Sequence, residues 1–233
     1  MSFQPLSRPV RMIYRAAQIL LTCDVSDLMI LDLDDIQLRK LLPDGCELFR
    51  MTPDLLREHA TNTELGLNPL MAYRLLFGRD VCIGIRNAEG LLGYAWFALG
   101  SIEAENNRGA KPATGTAISF PAQMAFMYNV FILPKYRGQG LYAAMVAYAF
   151  VELNEFGVRQ ILVTTDWANN FGLKACYAMG FRRVGRMIRF GVGRAVLGWY
   201  PRAARRLGVR CGNWVNRKLP TPAYHVMTQP KLA

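Results

Sequence analysis

The sequence has no acidic residue after Asp166. Thirteen of its 28 Lys and Arg follow that position, so residues 1–166 hold fifteen basic against seventeen acidic side chains, and the last 67 residues carry the whole net charge of +11. Such asymmetry implies an anionic partner, whether coenzyme phosphates, an acidic carrier protein, an anionic membrane surface or nucleic acid; the alternative is a solvated basic tail. Histidine is scarce: His59 and His225 are too few and too far apart for a zinc site, so no metal is expected. The five cysteines, Cys23, Cys46, Cys82, Cys176 and Cys211, are odd in number and contain no C-x-x-C pair. They fit free thiols in a reducing cytoplasm better than a disulfide framework. No uncharged apolar run reaches membrane-spanning length, so no transmembrane helix is expected. The most apolar early stretch, Ile13 to Thr22, contains Arg15 and Gln18 and is followed by no small-residue cleavage site, which argues against a signal peptide. What remains is a chain of 233 residues, 52% hydrophobic and 19% charged, able to fold around one sizeable core with appendages.

Hydrophobic periodicity gives an alternation of elements. Residues 10–22 have helical spacing, with Arg11, Arg15, Gln18 and Thr22 on one face and Met12, Ile13, Ala16, Ile19 and Leu20 on the others. This basic amphipathic helix fits a membrane surface, although packing of its apolar stripe on its own domain is the commoner use. Residues 28–33 and 46–51 read as strands, with a turn at Pro43-Asp44-Gly45. Thr52-Pro53-Asp54 opens one helix and Asn68-Pro69 another through Phe77. Asp80–Arg86 and Leu91–Leu99 form a hairpin around Asn87-Ala88-Glu89-Gly90. Residues 100–122, rich in Gly, Asn, Pro and Ala, read as a long mobile loop. Then come a strand over Met124–Leu133, a helix over Gly138–Gly157, a strand over Gln160–Thr165, a helix over Asn169–Met179 stopped by Gly180, and a strand over Phe181–Phe190. Strands flanking a helix at 124–165 predict a β-α-β unit with parallel strands.

The segment most informative about function is Ile132-Leu133-Pro134-Lys135-Tyr136-Arg137-Gly138-Gln139-Gly140-Leu141. An apolar strand stops at proline, two glycines follow at i and i+2, and a long helix begins at once. Glycines allow close backbone approach, the first N–H groups of the helix point at the ligand, and the positive end of the helix dipole favours an anion. Lys135 and Arg137 add charge-assisted contacts to phosphate oxygens. The pattern suits a pyrophosphate. It is not a dinucleotide fingerprint, because position 143 is Ala, nor a P-loop, because no Gly-Lys-Ser/Thr follows. A Gly-x-Gly alone is also compatible with a tight strand-to-helix turn.

The loop, the next strand and the segment Asn169-Asn170-Phe171-Gly172-Leu173-Lys174-Ala175-Cys176-Tyr177-Ala178-Met179-Gly180-Phe181 together resemble the GNAT superfamily of acyl-CoA N-acyltransferases. The resemblance covers about residues 46–190 and is most specific at 130–181. It implies an α/β fold with a mixed central sheet flanked by helices, and acetyl-CoA or another acyl-CoA as co-substrate. It implies that the fourth and fifth strands of the family's sheet splay apart and that the backbone of Val130, Phe131 and Ile132 pairs with the pantetheine arm. By the same resemblance Lys135, Arg137, Gly138, Gln139, Gly140 and Leu141 hold the pyrophosphate, and Asn169 falls near the pantetheine. Two departures stand out. The fourth-strand position where the family often has a carboxylate base holds Asn129. The position of its tyrosine acid, four residues before the glycine of Gly-Phe, holds Cys176, with Tyr177 adjacent but about 100° round the helix. Cys176 is either a proton donor or a small packing residue, and the base is water, Glu103, Glu105 or absent.

The implied function is transfer of an acyl group, foremost acetyl, from coenzyme A to an amine of a small molecule or amino sugar. The alternatives are a longer-chain acyltransferase using acyl carrier protein at a membrane surface and a non-catalytic acyl-CoA-binding module. The basic segment Arg182–Lys218, with Val192, Val196, Leu197, Trp199 and Tyr200 interleaved, favours an anionic carrier protein or membrane over nucleic acid, for which no reading motif is present. The expected organisation is an N-terminal extension over 1–45, an acyltransferase domain over 46–190 and a basic C-terminal extension over 191–233. The expected location is cytoplasmic, at most peripheral on the inner face of the membrane.

Overall fold

The computed structural model describes residues 7–38, 42–107, 116–192 and 195–212. The centre of the long loop, Arg194 and the basic stretch from 213 onward lie outside the described residues. In chain order the elements are α1 (Arg8–Leu20), β1 (Thr22–Asp32), β2 (Glu47–Arg50), α2 (Pro53–His59), α3 (Ala72–Leu76), β3 (Asp80–Asn87), β4 (Gly90–Leu99), β5 (Ser101–Ile102) and β6 (Ala117–Ser119). They continue with β7 (Met124–Ile132), α4 (Leu141–Leu153), β8 (Gln160–Asp166), α5 (Asn170–Met179), β9 (Arg182–Val192), β10 (Ala195–Trp199), α6 (Arg202–Arg206) and β11 (Arg210–Gly212).

Among the described residues, eight strands form one sheet in the order β10-β9-β1-β8-β7-β4-β3-β2, and a small second sheet has the order β11-β6-β5. The pair β7–β8 is parallel, linked by α4 as the β-α-β pattern predicts, and the remaining pairs of the large sheet are antiparallel. The strands alternate between two cores. Residues such as Met29, Leu31, Val81, Ile83, Phe97, Met127 and Ile161 meet α4 and α5 on one face. Leu28, Ile30, Cys82, Trp96, Ala98, Phe126 and Leu162 meet α2, α3, α6 and the small sheet on the other. Period-2 alternation with both faces covered explains why β1, β4 and β7 read as nearly continuous apolar runs.

Three expectations change. First, β1 is no appendage. It lies between β8 and β9, paired with β8 from Ser26↔Asp166 to Asp32↔Gln160, and Leu28 to Leu31 are fully buried. The sequence shows only its apolar run; the partners lie 128 or more residues away. Second, α1 leaves the first half of its apolar stripe uncovered. Tyr14 faces inward, exchanging hydrogen bonds with the backbone of Val25 and meeting Trp167 edge-on at 5.7 Å, whereas Met12 and Ile13 are 72% and 71% exposed. The loop over 100–122 also contains structure, since β5 and β6 pair through Ser101↔Ser119 and Ile102↔Ile118.

Candidate active site

The site begins where β7 and β8 part. Their parallel ladder runs from Met124↔Gln160 to Met127↔Val163 and stops, although β7 continues to Ile132 and β8 to Asp166. β8 is held away by its pairing with β1, while the end of β7 stays with β4 through Phe131↔Tyr94 and Ile132↔Gly93. Between these anchors β7 carries a bulge: Asn129 and Val130 stand where β4 supplies Ala95 alone. Asn129 has φ 45°, the sole positive-φ non-glycine among the described residues. Asparagine tolerates this left-handed conformation better than most residues, and the neighbours fix it. On one side the Tyr128 hydroxyl donates to Asp80; on the other the Phe131 ring stacks on Tyr94 at 5.7 Å. Gly93 is obligatory here, since a Cβ on it would lie 2.6 Å from the Phe131 carbonyl oxygen. The result is a V-shaped opening between Asn129–Ile132 and Thr164–Asp166, with the backbone of Val130, Phe131 and Ile132 left outside the β7–β8 ladder.

The glycine loop closes the end of this opening. Pro134–Tyr136 form a 3-10 turn, Gly138 and Gly140 take φ 77° and 90°, and α4 starts at Leu141 without a side-chain cap. Its first intrahelical bond runs from the Ala144 N–H to the Gly140 carbonyl, so the N–H groups of Leu141, Tyr142 and Ala143 have no carbonyl one turn back. A Cβ at Gly138 would meet nothing within 4 Å. Glycine is needed at this position for its backbone angle, and open space adjoins it. These features fit a phosphate-bearing ligand. The side chains are arranged less simply than the sequence implies. The Lys135 ammonium is 2.7 Å from Glu89, which also accepts from the Tyr136 hydroxyl at 2.6 Å. These two bonds hold the Glu89 carboxyl below its ordinary range, and the Lys135 ammonium is raised by its bonds to Glu89 and to the Tyr136 hydroxyl. Arg137 Nε donates to the Ile132 carbonyl at 3.0 Å and the Gln139 amide to the Lys135 carbonyl at 3.3 Å, so both brace the loop.

On the helix side of the opening, Asn169 caps α5 by accepting from the Gly172 N–H at 3.0 Å. Cys176 is buried; its Sγ lies 3.9 Å from Thr165 Oγ1 and 4.0 Å from the Tyr142 hydroxyl. Burial pushes its thiol up to about 11, although the hydrogen bonds to Thr165 and Tyr142 pull the other way. Tyr142, from the first turn of α4, thus reaches α5 beneath the opening, a contact absent from the sequence reading because it joins positions 34 residues apart. Tyr177 is half-buried and packs against the core on that face.

The opposite side of the sheet holds a buried ionic network that sequence reasoning also missed. Arg74 is paired with Asp80 and, at 2.8 Å, with Glu103, which also meets Arg79. Burial alone raises the Glu103 carboxyl, but Arg74 and Arg79 outweigh it and hold the group below its usual range. Tied to two guanidinium groups, Glu103 is a poor proton acceptor, whereas Glu105 is exposed. Beside the glycine loop a cleft of about 340 Å³ is lined by Glu58, His59, Asn62, Glu64, Glu89 and Lys135, among others.

Residues 69–181 match the model of the Acetyltransferase (GNAT) family. No curated protein matches the chain. Among solved structures, a GCN5-related N-acetyltransferase from Kribbella flavida is 16% identical with a TM-score of 0.49, covering 79% of this chain and 64% of its own. An acetyltransferase of the GNAT family from Novosphingobium aromaticivorans is 16% identical with a TM-score of 0.48, over 73% of this chain and 66% of its own. AAC(6')-Iy, solved with the bisubstrate analogue CoA-S-monomethyl-acetylneamine, is 17% identical with a TM-score of 0.45, over 59% of this chain and 90% of its own. The chain spans less than two thirds of the length of the first two. The family match covers residues 69–181, just under half of the chain, and over that segment the chain, with its mixed sheet flanked by helices, is similar to the Acetyltransferase (GNAT) family.

Proposed function

We propose that this chain transfers an acyl group, foremost acetyl, from coenzyme A to an amine of a small molecule. The observation that carries the reading is the junction of the β7–β8 opening with the glycine loop: an unladdered strand edge leads straight to an α4 start without a side-chain cap, with open space beside Gly138. In this reading the amides of Arg137 to Leu141 hold the pyrophosphate, and the backbone of Val130, Phe131 and Ile132 pairs with the pantetheine. The bound acyl-CoA supplies the thioester carbonyl that the amine attacks. The bulge at Asn129 turns backbone amides toward that carbonyl, where they stabilise developing negative charge. Asn169 acts on the site by fixing the start of α5. Cys176 and Tyr142 are held protonated at the floor of the opening, and Tyr177 supports α5 from one residue on. Glu58 and Glu64 give the neighbouring cleft a negative lining suited to a cationic acceptor, since Lys135 offsets Glu89 there. The setting fits the cytoplasm, where free thiols persist.

Titration calorimetry with acetyl-CoA tests this on three proteins. Gly138→Ala and Gly138→Glu share the same backbone penalty at φ 77°, so their difference isolates the added carboxylate. The glutamate variant should bind at least about tenfold more weakly than the alanine variant, roughly 1.4 kcal/mol, with circular dichroism unchanged. Equal affinities would remove the pyrophosphate from this loop.

A further inference from the structure

The outer face of α1 and one face of the β9–β10 hairpin carry apolar side chains that nothing in the described structure covers. On α1, Pro9, Met12, Ile13 and Ala16 share one stripe, and Met12 and Ile13 are more than 70% exposed. The helix is strongly amphipathic and presents the wrong side to water for a free surface helix. On the hairpin, the register Leu197↔Phe190 and Trp199↔Ile188 places those four side chains on one face, and all four are exposed, as is Val192 beside them. The opposite face of β9 is closed, since Met187 is buried with Ala204 of α6. Trp167 links the two apolar surfaces. Tyr14 of α1 meets its ring at 5.7 Å, and the Arg186 guanidinium lies over it at 5.2 Å from the strand face that bears Ile188 and Phe190. The surrounding cations are Arg8, Arg11 and Arg15 on α1, together with Arg182, paired with Asp32, and Arg183 and Arg186, which share Asp27, so the three on α1 carry most of the positive charge of the surface.

We infer that these two faces form one docking surface for an anionic lipid bilayer. Apolar side chains enter the headgroup boundary, Trp199 settles at the interface and Arg8, Arg11 and Arg15 of α1 reach lipid phosphates, with their alkyl stems lying along the apolar surface. Among the described residues no helix is long and apolar enough to cross a membrane, so attachment is peripheral. Charge decides the choice of occupant: a second copy of this chain would bring a second set of arginines against the first, whereas an anionic headgroup layer neutralises them.

The full-length protein is mixed with vesicles of phosphatidylglycerol and phosphatidylcholine, and with phosphatidylcholine alone, and sedimented at low and high salt. It should sediment with the anionic vesicles, be released by salt and shift its tryptophan emission to shorter wavelength, the shift disappearing in Trp199→Phe. Ile13→Asp combined with Phe190→Asp should lower partitioning at least about tenfold, with the thermal melt unchanged because both positions face solvent. Failure to sediment, or equal binding to neutral vesicles, overturns the inference. So does a dimer in solution that the double variant converts to monomer, since the surface would then belong to a second copy.

Discussion

At the scale of single residues, Cys176 is the position where sequence and structure bear most directly on the chemistry. The sequence leaves open whether it donates a proton or fills space. Its burial in the core and a thiol pushed up to about 11 by that burial favour the second. A donor should be matched to the group it protonates, and a thiol raised by burial gives up its proton to an ordinary thiolate only uphill. Cys176→Ala should therefore keep kcat within about threefold of the parent while losing roughly 1 kcal/mol of stability from the small void it leaves. Steady-state turnover and denaturant melts measure the two, and a hundredfold loss of kcat would return the thiol to the reaction. Glu103 is the second such residue. A loop carboxylate in the sequence becomes, in the fold, the shared partner of Arg74 and Arg79. It is thereby withdrawn from service as a base and fixes the start of the loop instead.

At the scale of elements, the bulge in β7 controls the opening. The strand must stay with β4 at both ends while turning a stretch of backbone away from β8, and Asn129 absorbs the conflict at φ 45°. A β-branched residue is strained there and glycine is not. Asn129→Val should cost about 1–3 kcal/mol and weaken acetyl-CoA binding, whereas Asn129→Gly should keep both stability and affinity near the parent. Urea denaturation and calorimetry read these together; a valine variant as stable as the parent would mean that the backbone there is not held by the fold. The glycine loop shows the same division of labour. Gly138 and Gly140 set the backbone, and Glu89 anchors the turn before them through Lys135 and Tyr136. The two basic residues of the motif thus brace the loop as well as lending it charge.

At the scale of the whole molecule, the N-terminal strand is the connection on which the sheet depends. Removing residues 1–21 deletes α1 and its outward apolar stripe but leaves every strand in place. Removing residues 1–32 takes β1 from between β8 and β9 and uncovers both cores at once. The shorter deletion should retain a cooperative thermal transition, and the longer one should lose it. A cooperative melt for the longer deletion would mean that β8 and β9 can close directly. The sequence by itself determined the part of this protein whose physics is local. The strand, the proline stop, the glycines and the helix start of residues 124–157 are contiguous, as are the Thr52 and Asn169 caps and the β3–β4 hairpin, and their residue types dictate their conformations wherever they are placed. Only the tertiary structure decided that β1 enters the sheet, that Tyr142 meets Cys176, that Arg74 joins Asp80 to Glu103, and that α1 turns its apolar side outward. Each of these depends on partners distant in the chain. Periodicity shows that an element has an apolar side, but which neighbour covers that side is settled by packing.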